Sequence, residues 1–132
     1  VEGYINNKKE EEIFVTNLSS SMALNKLAEK HDCIIERSAV GEINVVQKML
    51  ALNSKLGGEG NGGVILKESH LGRDSLVGAA MVLNRMAQEE TKISKIHSKL
   101  PQFFMVKDKI ILDSIEKDLV QKKVLIFKGT LI

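Results

Sequence analysis

The chain has 132 residues, enough for one domain that buries a full hydrophobic core. It is 43% hydrophobic and 27% charged with a net charge of +2, which is the composition of an ordinary globular protein. Few aromatic residues and no basic stripe argue against a nucleic-acid surface, and the short apolar runs argue against a membrane partner. The single cysteine, Cys33, excludes an internal disulfide, so we expect a small buried thiol in a cytoplasmic protein.

The chain then alternates between short apolar runs and helical patterns. The β-branched and aromatic run Ile13–Asn17 predicts a buried strand, and the serines at 19–21 offer hydroxyl groups that could cap a helix ending near residue 30. The run 33–37 predicts a second strand. The side chains expected on one face of the first helix are Leu24, Leu27, Ala28 and His31.

Two further helices are predicted beyond this point. Gly41 breaks the chain and Glu42 opens the second helix, while residues 73–75 cap a longer one. Between them, a glycine-rich segment leads into a strand at 64–66. The side chains expected to face inward from the second helix are Ile43, Val46, Met49 and Leu50. The apolar stripe of the longer helix, whose methionines we expect to fill the core, is Leu76, Ala79, Ala80, Leu83, Met86 and Ala87.

This order of elements predicts an α/β fold with a mixed, mostly parallel four-stranded sheet packed between helices. Ligands on such sheets bind beyond the carboxyl ends of the strands, where segments 16–21, 40–42 and 57–63 would meet along one edge. Glu42 and Glu59 would then face a common site. The helix dipole alone also favours an acid in the first turn, which gives Glu42 a purely structural explanation.

The most distinctive segment is 57–63, where five glycines in seven positions accompany one carboxylate, Glu59, and one amide, Asn61. It is not a phosphate loop, because no Lys-Ser/Thr follows it and the next residues predict a strand rather than a helix. A carboxylate accepts hydrogen bonds and an amide both donates and accepts, which suits neighbouring hydroxyl groups on a sugar ring. The alternative is a glycine-rich hairpin turn with an incidental glutamate.

Four motifs in this order resemble the third domain of the α-phosphohexomutases, which include phosphoglucosamine, phosphomannose and phosphoglucose mutases. They are 15–21, Val40-Gly41-Glu42, the glycine segment 57–63 and Gly72-Arg73-Asp74. The resemblance covers about residues 13 to 110. It implies domain III at 1–110 and a linker or the start of a following domain at 111–132, where a short helix at 113–119 and a strand at 124–127 are predicted.

The resemblance also assigns roles to residues. The glycine segment corresponds to a sugar-specificity loop whose Glu and Ser or Asn bind ring hydroxyls, and the Val-Gly-x segment borders the same site. The candidate substrate-binding residues are therefore Glu59, Asn61, Gly58, Gly60, Gly62, Glu42 and Gly41. Some relatives carry a lysine where this chain has Asn17 and a histidine where it has Glu42, so these two transfers are the weaker ones.

Such mutases are similar to one another in using a phosphoserine and an aspartate-bound Mg²⁺ that lie in other domains. This chain shows neither the serine loop nor the aspartate-rich metal loop, so we expect no catalytic residue and no metal ligand in it. The resemblance thus implies the sugar-recognition part of an enzyme that interconverts hexose or hexosamine 6-phosphates and 1-phosphates, with other domains of that enzyme as partners. The alternative is a free-standing α/β module that binds a small ligand or another protein without catalysis.

Overall fold

The computed structural model describes residues 12–104. The helix and strand predicted at 113–119 and 124–127, and the domain boundary at 110, lie outside the described residues and stay predictions. The described elements, in chain order, are β1 (Ile13–Asn17), α1 (Ala23–Lys30), β2 (Ile34–Ser38), α2 (Glu42–Ala51), β3 (Leu56–Glu59), β4 (Gly63–Leu66), α3 (Ser75–Gln88) and α4 (Ile93–Lys99). No helix within residues 12–104 is long and apolar enough to cross a membrane.

The sheet has four strands in the order β2-β1-β3-β4. Strand β1 pairs in parallel with both β2 and β3, and β3 pairs antiparallel with β4, so the prediction of a mixed, mostly parallel sheet is confirmed. In this register Asn17 lies opposite Ser38, and Thr16 lies opposite Gly58. The carboxyl ends of the three parallel strands therefore share one edge of the sheet, as the sequence predicts.

The core forms where α2 lies against the centre of the sheet. Val15, Val45, Met49 and Ile65 are buried together, with Val46 and Leu52 packed against them. The prediction for α2 was partly wrong, because Ile43 and Leu50 are 63% and 51% exposed. With a rotation of 100° per residue, Val45 and Met49 share one face, whereas Ile43 and Leu50 lie together on another.

Helix α3 departs further from the prediction, since none of its residues is buried within the described part of the chain. Leu76 and Leu83 are 79% and 62% exposed, and the three alanines of the predicted stripe are not buried either. The helix lies against β4, a strand of only four residues, and approaches it where Gly78 faces Val64. Of the predicted stripe only Met86 is half-buried, whereas Val77, Gly78, Met81 and Arg85 on the other side of the helix are half-buried. The apolar periodicity therefore marked the wrong face of α3.

Cys33, helix α1 and the N-cap of α1 agree only in part with the predictions from sequence. Cys33 is half-buried rather than fully buried, and this burial raises the pKa of its thiol. In α1, Leu27 and Ala28 are buried as predicted, while Leu24 is half-buried, as is His31, which follows the last helical residue. The N-cap of α1 is Met22 rather than a serine, although the Ser21 hydroxyl accepts a hydrogen bond from the Ala23 amide at 3.1 Å.

The capping of α3 by Asp74 is confirmed. Its Oδ1 accepts hydrogen bonds from the amides of Leu76 at 2.8 Å and Val77 at 3.1 Å, and its Oδ2 lies 3.1 Å from His70 Nε2. The Val77 amide and then the His70 side chain hold the pKa of the Asp74 carboxyl below its usual range.

A first prediction separates the two faces of α2. Met49→Ala should lower the free energy of unfolding by about 2–5 kcal/mol, because it empties a fully enclosed site next to Gly57. Ile43→Ala is the matched control and should change it by no more than about 0.5 kcal/mol. Urea unfolding of the 132-residue chain measures both, and equal losses would show that Ile43 packs inward after all.

A second prediction concerns the cap of α3. Asp74→Ala should lower the melting temperature more than Asp74→Asn, which keeps an oxygen that can accept the amide hydrogen bonds. Because the pKa of this carboxyl is lowered in the fold, its contribution is present above the ordinary carboxyl pKa and is lost as pH falls through the lowered value. Thermal melts from neutral to acidic pH should therefore converge for wild type and Asp74→Asn, and curves that stay parallel would contradict this account.

Candidate functional site

The hairpin between β3 and β4 forms the tip of the candidate site. Its three loop residues, 60–62, close with a hydrogen bond from the Gly62 amide to the Glu59 carbonyl at 3.2 Å. Gly62 has φ +97°, a conformation that glycine adopts at low cost, as expected at the third position of a three-residue hairpin loop. The turn leaves Asn61 exposed at the tip, where its amide is open to a ligand.

Glu59 lies deeper than the sequence suggested. The loop was expected to display this carboxylate, but the Glu59 side chain is only 4% exposed. Its Oε1 accepts hydrogen bonds from Asn17 Nδ2 at 2.8 Å and from the Gly41 amide at 3.1 Å, and its Oε2 lies 3.4 Å from Arg73 Nη1. The carboxylate therefore joins the ends of β1 and β3 to the loop before α2 and to the segment before α3.

Asn17 holds Glu59 from the end of β1. Its side chain is buried, and its Oδ1 accepts hydrogen bonds from the Ser19 amide, the Ser19 hydroxyl and the Ser20 hydroxyl at 2.9–3.1 Å. Its amide nitrogen is then left to donate to Glu59. Asn17 thus orients another side chain and is not displayed to a ligand.

Arg37 is a residue of this region that the sequence analysis missed. Its guanidinium donates hydrogen bonds to the carbonyl oxygens of Asn17, Ser20 and Ser21 at 2.8–3.1 Å, and to Asn25 Oδ1 at 2.7 Å. Burial lowers the pKa of Arg37, but a guanidinium stays charged in proteins. The signal in the sequence was a lone arginine near the end of a predicted strand, and its role is to fix the loop that follows β1.

Glu42 and Arg73 meet across 31 positions of sequence. Glu42 is the first residue of α2, and its carboxylate accepts hydrogen bonds from the Arg73 amide at 3.1 Å and from Arg73 Nε at 2.8 Å. These two bonds, the backbone one first, hold the pKa of the Glu42 carboxyl below its usual range. Glu42 therefore has a specific partner in addition to the favourable position that the helix dipole gives it.

An open polar depression of about 390 Å³ lies at this edge of the sheet. The residues that line it are Glu42, Asn61, Gly62, Gly63, Arg73 and Ser75. Of the predicted site residues, Glu42, Asn61 and Gly62 thus lie at the depression, while Glu59 and Gly41 lie next to it through their contacts with Arg73 and each other. Amide, carboxylate, hydroxyl and guanidinium groups together can donate to and accept from ligand hydroxyl groups.

Gly58 and Gly60 do not line the depression. A Cβ at Gly58 would lie 2.4 Å from the Gly63 carbonyl oxygen, and one at Gly60 would lie 3.0 Å from Ser20 Cα. Gly58 requires glycine because another backbone approaches closely, and Gly60 is tightly packed against the loop after β1. Their part in the site is to let the hairpin and the loop after β1 come together.

No group of three or more His, Cys, Asp or Glu side chains within residues 12–104 is arranged to hold a metal ion. The three histidines of the chain, His31, His70 and His97, lie on separate elements or loops.

Comparison with known proteins places this geometry in a family. The sequence matches the family model described as phosphoglucomutase/phosphomannomutase, alpha/beta/alpha domain III, over residues 2–104. It is 31% identical over 110 residues to a phosphoglucomutase/phosphomannomutase of Thermococcus kodakarensis, covering 83% of this chain and 24% of that protein. It is also 34% identical over 109 residues to a phosphoglucosamine mutase of Protochlamydia amoebophila, covering 78% of this chain and 24% of that protein.

The fold has a counterpart among solved structures. The crystal structure of a protein assigned as a phosphomannomutase from Thermus thermophilus superposes with a TM-score of 0.65 and 22% identity, over 73% of this chain and 22% of that one. The chain spans about a quarter of the length of the curated relatives it matches. The family model, the relatives and the sheet topology agree, and the chain belongs to the phosphoglucomutase/phosphomannomutase family as its α/β/α domain III.

Proposed function

We propose that this chain is the sugar-recognition domain of a phosphohexomutase that interconverts hexose or hexosamine 6-phosphates and 1-phosphates. The observation that carries the proposal is the polar depression at the carboxyl edge of the sheet, where Asn61, Glu42 and Arg73 converge. Ligands of α/β sheets bind at this edge, and hydroxyl groups are the ligands that such a set of donors and acceptors suits.

Each side chain of the site would make a different contribution to sugar binding. Asn61 lies at the exposed tip and would exchange hydrogen bonds with ring hydroxyls, while Glu42, which also lines the depression, would accept them. Glu59 would act from beneath, because Oε1 already has two donors and only Oε2 retains accepting capacity towards Arg73 and a ligand. Gly41 supplies an amide that holds Glu59, and Gly58, Gly60 and Gly62 shape the hairpin.

The phosphoryl-transfer step would belong to other parts of the enzyme. Phosphoryl transfer needs a positioned acceptor and cationic or metal stabilisation of the transferred group. The proposal places Mg²⁺ and the phosphoserine in other domains of the enzyme, and it assigns no catalytic residue to this chain. A cytoplasmic location belongs to the same proposal.

The exposed face of α3 supports a second part of the proposal, contact with other domains of the same enzyme. Leu76 and Leu83 are mostly exposed, and an apolar groove next to them runs past Gly78, Val82 and Met86. Exposed apolar faces of this kind mark sites of protein contact. The same observation favours the alternative function, a free-standing module that binds another protein, if no sugar phosphate binds.

A titration followed by two-dimensional NMR tests sugar recognition. In the 132-residue chain, millimolar glucose 6-phosphate or glucosamine 6-phosphate should shift the amides of 60–63, Glu42 and Arg73. Asn61→Ala should weaken this binding about tenfold without lowering stability, because the side chain is exposed and a lost hydrogen bond of this kind changes affinity by that order. Asn84→Ala, which removes an exposed amide from α3, is the control and should bind like wild type. Shifts spread over the surface, or none at all, would count against the proposal.

The proposed separation of sugar recognition from phosphoryl transfer gives a further prediction. The isolated chain should show no interconversion of glucose 1-phosphate and glucose 6-phosphate, even with excess Mg²⁺, because the groups that transfer phosphate lie elsewhere. A coupled assay with an intact relative as positive control measures this. Turnover that scales with the concentration of the chain and survives repurification would overturn the assignment of the chemistry to other domains.

A further inference from the structure

Arg73 is the cation next to both carboxylates of the candidate site. Its backbone amide and Nε bind the two oxygens of Glu42 at 3.1 and 2.8 Å, and its Nη1 lies 3.4 Å from Glu59 Oε2. Glu59 is nearly enclosed, and Arg73 is its ion-pair partner in the described part of the chain. An enclosed carboxylate is stabilised by hydrogen bonds together with a neighbouring cation. Asn17 and Gly41 donate hydrogen bonds to Glu59 but carry no charge, and Arg73 supplies the positive charge.

Gly63 creates the space in which Arg73 lies. A Cβ at this position would lie 2.2 Å from Arg73 Cδ and 2.7 Å from Arg73 Cγ, and the three nearest atoms it would meet all belong to Arg73. A side chain at 63 would therefore displace the Arg73 side chain from its present position. The glycine is needed for the contact with Arg73 and not for the turn, which Gly62 already makes.

We propose that Arg73 is a positioning residue that holds the walls of the sugar site in register. Arg73 precedes the N-cap of α3 and lies over Gly63. By pairing with Glu59 on the hairpin and with Glu42 at the start of α2, it connects both of these segments to the start of α3. Without it, Glu59 would lose its cation and Glu42 its side-chain partner. This inference rests on the proposed function in one respect, that the ligand held by these walls is a sugar phosphate.

The first arm of the test needs no ligand. The Gly41 amide reports on Glu59 because it donates to Glu59 Oε1. In the 132-residue chain, Arg73→Gln and Gly63→Ala should both move the Gly41 amide resonance, whereas Lys67→Gln, which removes a cation at the other end of β4, should leave it in place. Arg73→Gln should also raise the pKa of Glu42 only partway to its ordinary value, because the backbone amide of residue 73 remains. Carboxyl ¹³C titration measures this.

The second arm measures binding of glucose 6-phosphate and glucosamine 6-phosphate by NMR titration. Arg73→Gln and Gly63→Ala should each raise the dissociation constant about tenfold, and the double variant should be no worse than either single one, since both remove the same contact. Arg73→Lys keeps the charge without the guanidinium fork and should recover part of the affinity. Gly63→Ala leaves Arg73 itself in place, so a loss of affinity in this variant does not come from removing the arginine.

The outcomes separate this inference from the proposed function. If wild type binds and both variants bind equally well, or if the Gly41 amide does not move in either, the positioning role is wrong while sugar recognition stands. If wild type shows no shifts confined to the site, sugar recognition fails, and the Gly41 amide still decides whether Arg73 positions Glu59. Additive losses in the double variant would show that Gly63 and Arg73 act independently, which would also overturn the inference.

Discussion

The enclosed carboxylate of Glu59 sets the strongest constraint on the site. A charge with a side chain that is 4% exposed is costly unless donors and a cation surround it. Glu59 obtains them from three separate segments: the end of β1 through Asn17, the loop before α2 through Gly41, and the segment before α3 through Arg73. Because each partner lies on a different element, satisfying this one group fixes the relative positions of all of them.

The glycines of β3 and the hairpin make that convergence sterically feasible. A Cβ at Gly57 would lie 2.4 Å from Met49 Sδ, and one at Gly58 would lie 2.4 Å from the Gly63 carbonyl oxygen. Strand β3 can therefore lie close to both α2 and β4, and its last residue, Glu59, lies at the edge of the sheet. Glycine in a strand costs conformational entropy, and packing against Met49 and the parallel pairing with β1 offset that cost.

The sequence predicted the local features of this fold better than its long-range contacts. Strand β1, the hairpin, the mixed sheet and the Asp74 cap all follow from patterns within a few residues, and the meeting of strand ends follows from parallel topology. The inward face of α2 could not be predicted from such patterns, because apolar residues occur on more than one side of that helix. Packing against the sheet is what buries Val45 and Met49. The inward prediction for α3 failed because periodicity identifies an apolar face and not its neighbour. The roles of the two arginines could not be predicted, because both arginines contact residues far away in sequence. Arg37 donates to carbonyl oxygens 16 to 20 positions earlier, and Arg73 donates to a carboxylate 31 positions earlier. No pattern within a few residues indicates either contact.

The charges next to the depression indicate which part of a sugar phosphate would bind there. Glu42, Glu59 and Arg73 together carry one net negative charge, and Arg73 is already shared between the two carboxylates. A phosphate dianion would be repelled by these three groups, whereas neutral ring hydroxyls can exchange hydrogen bonds with the Asn61 amide and the carboxylate oxygens. This balance supports the proposal that the domain recognises the sugar while other parts of the enzyme bind the phosphate, and it explains how recognition can be separated from the chemistry.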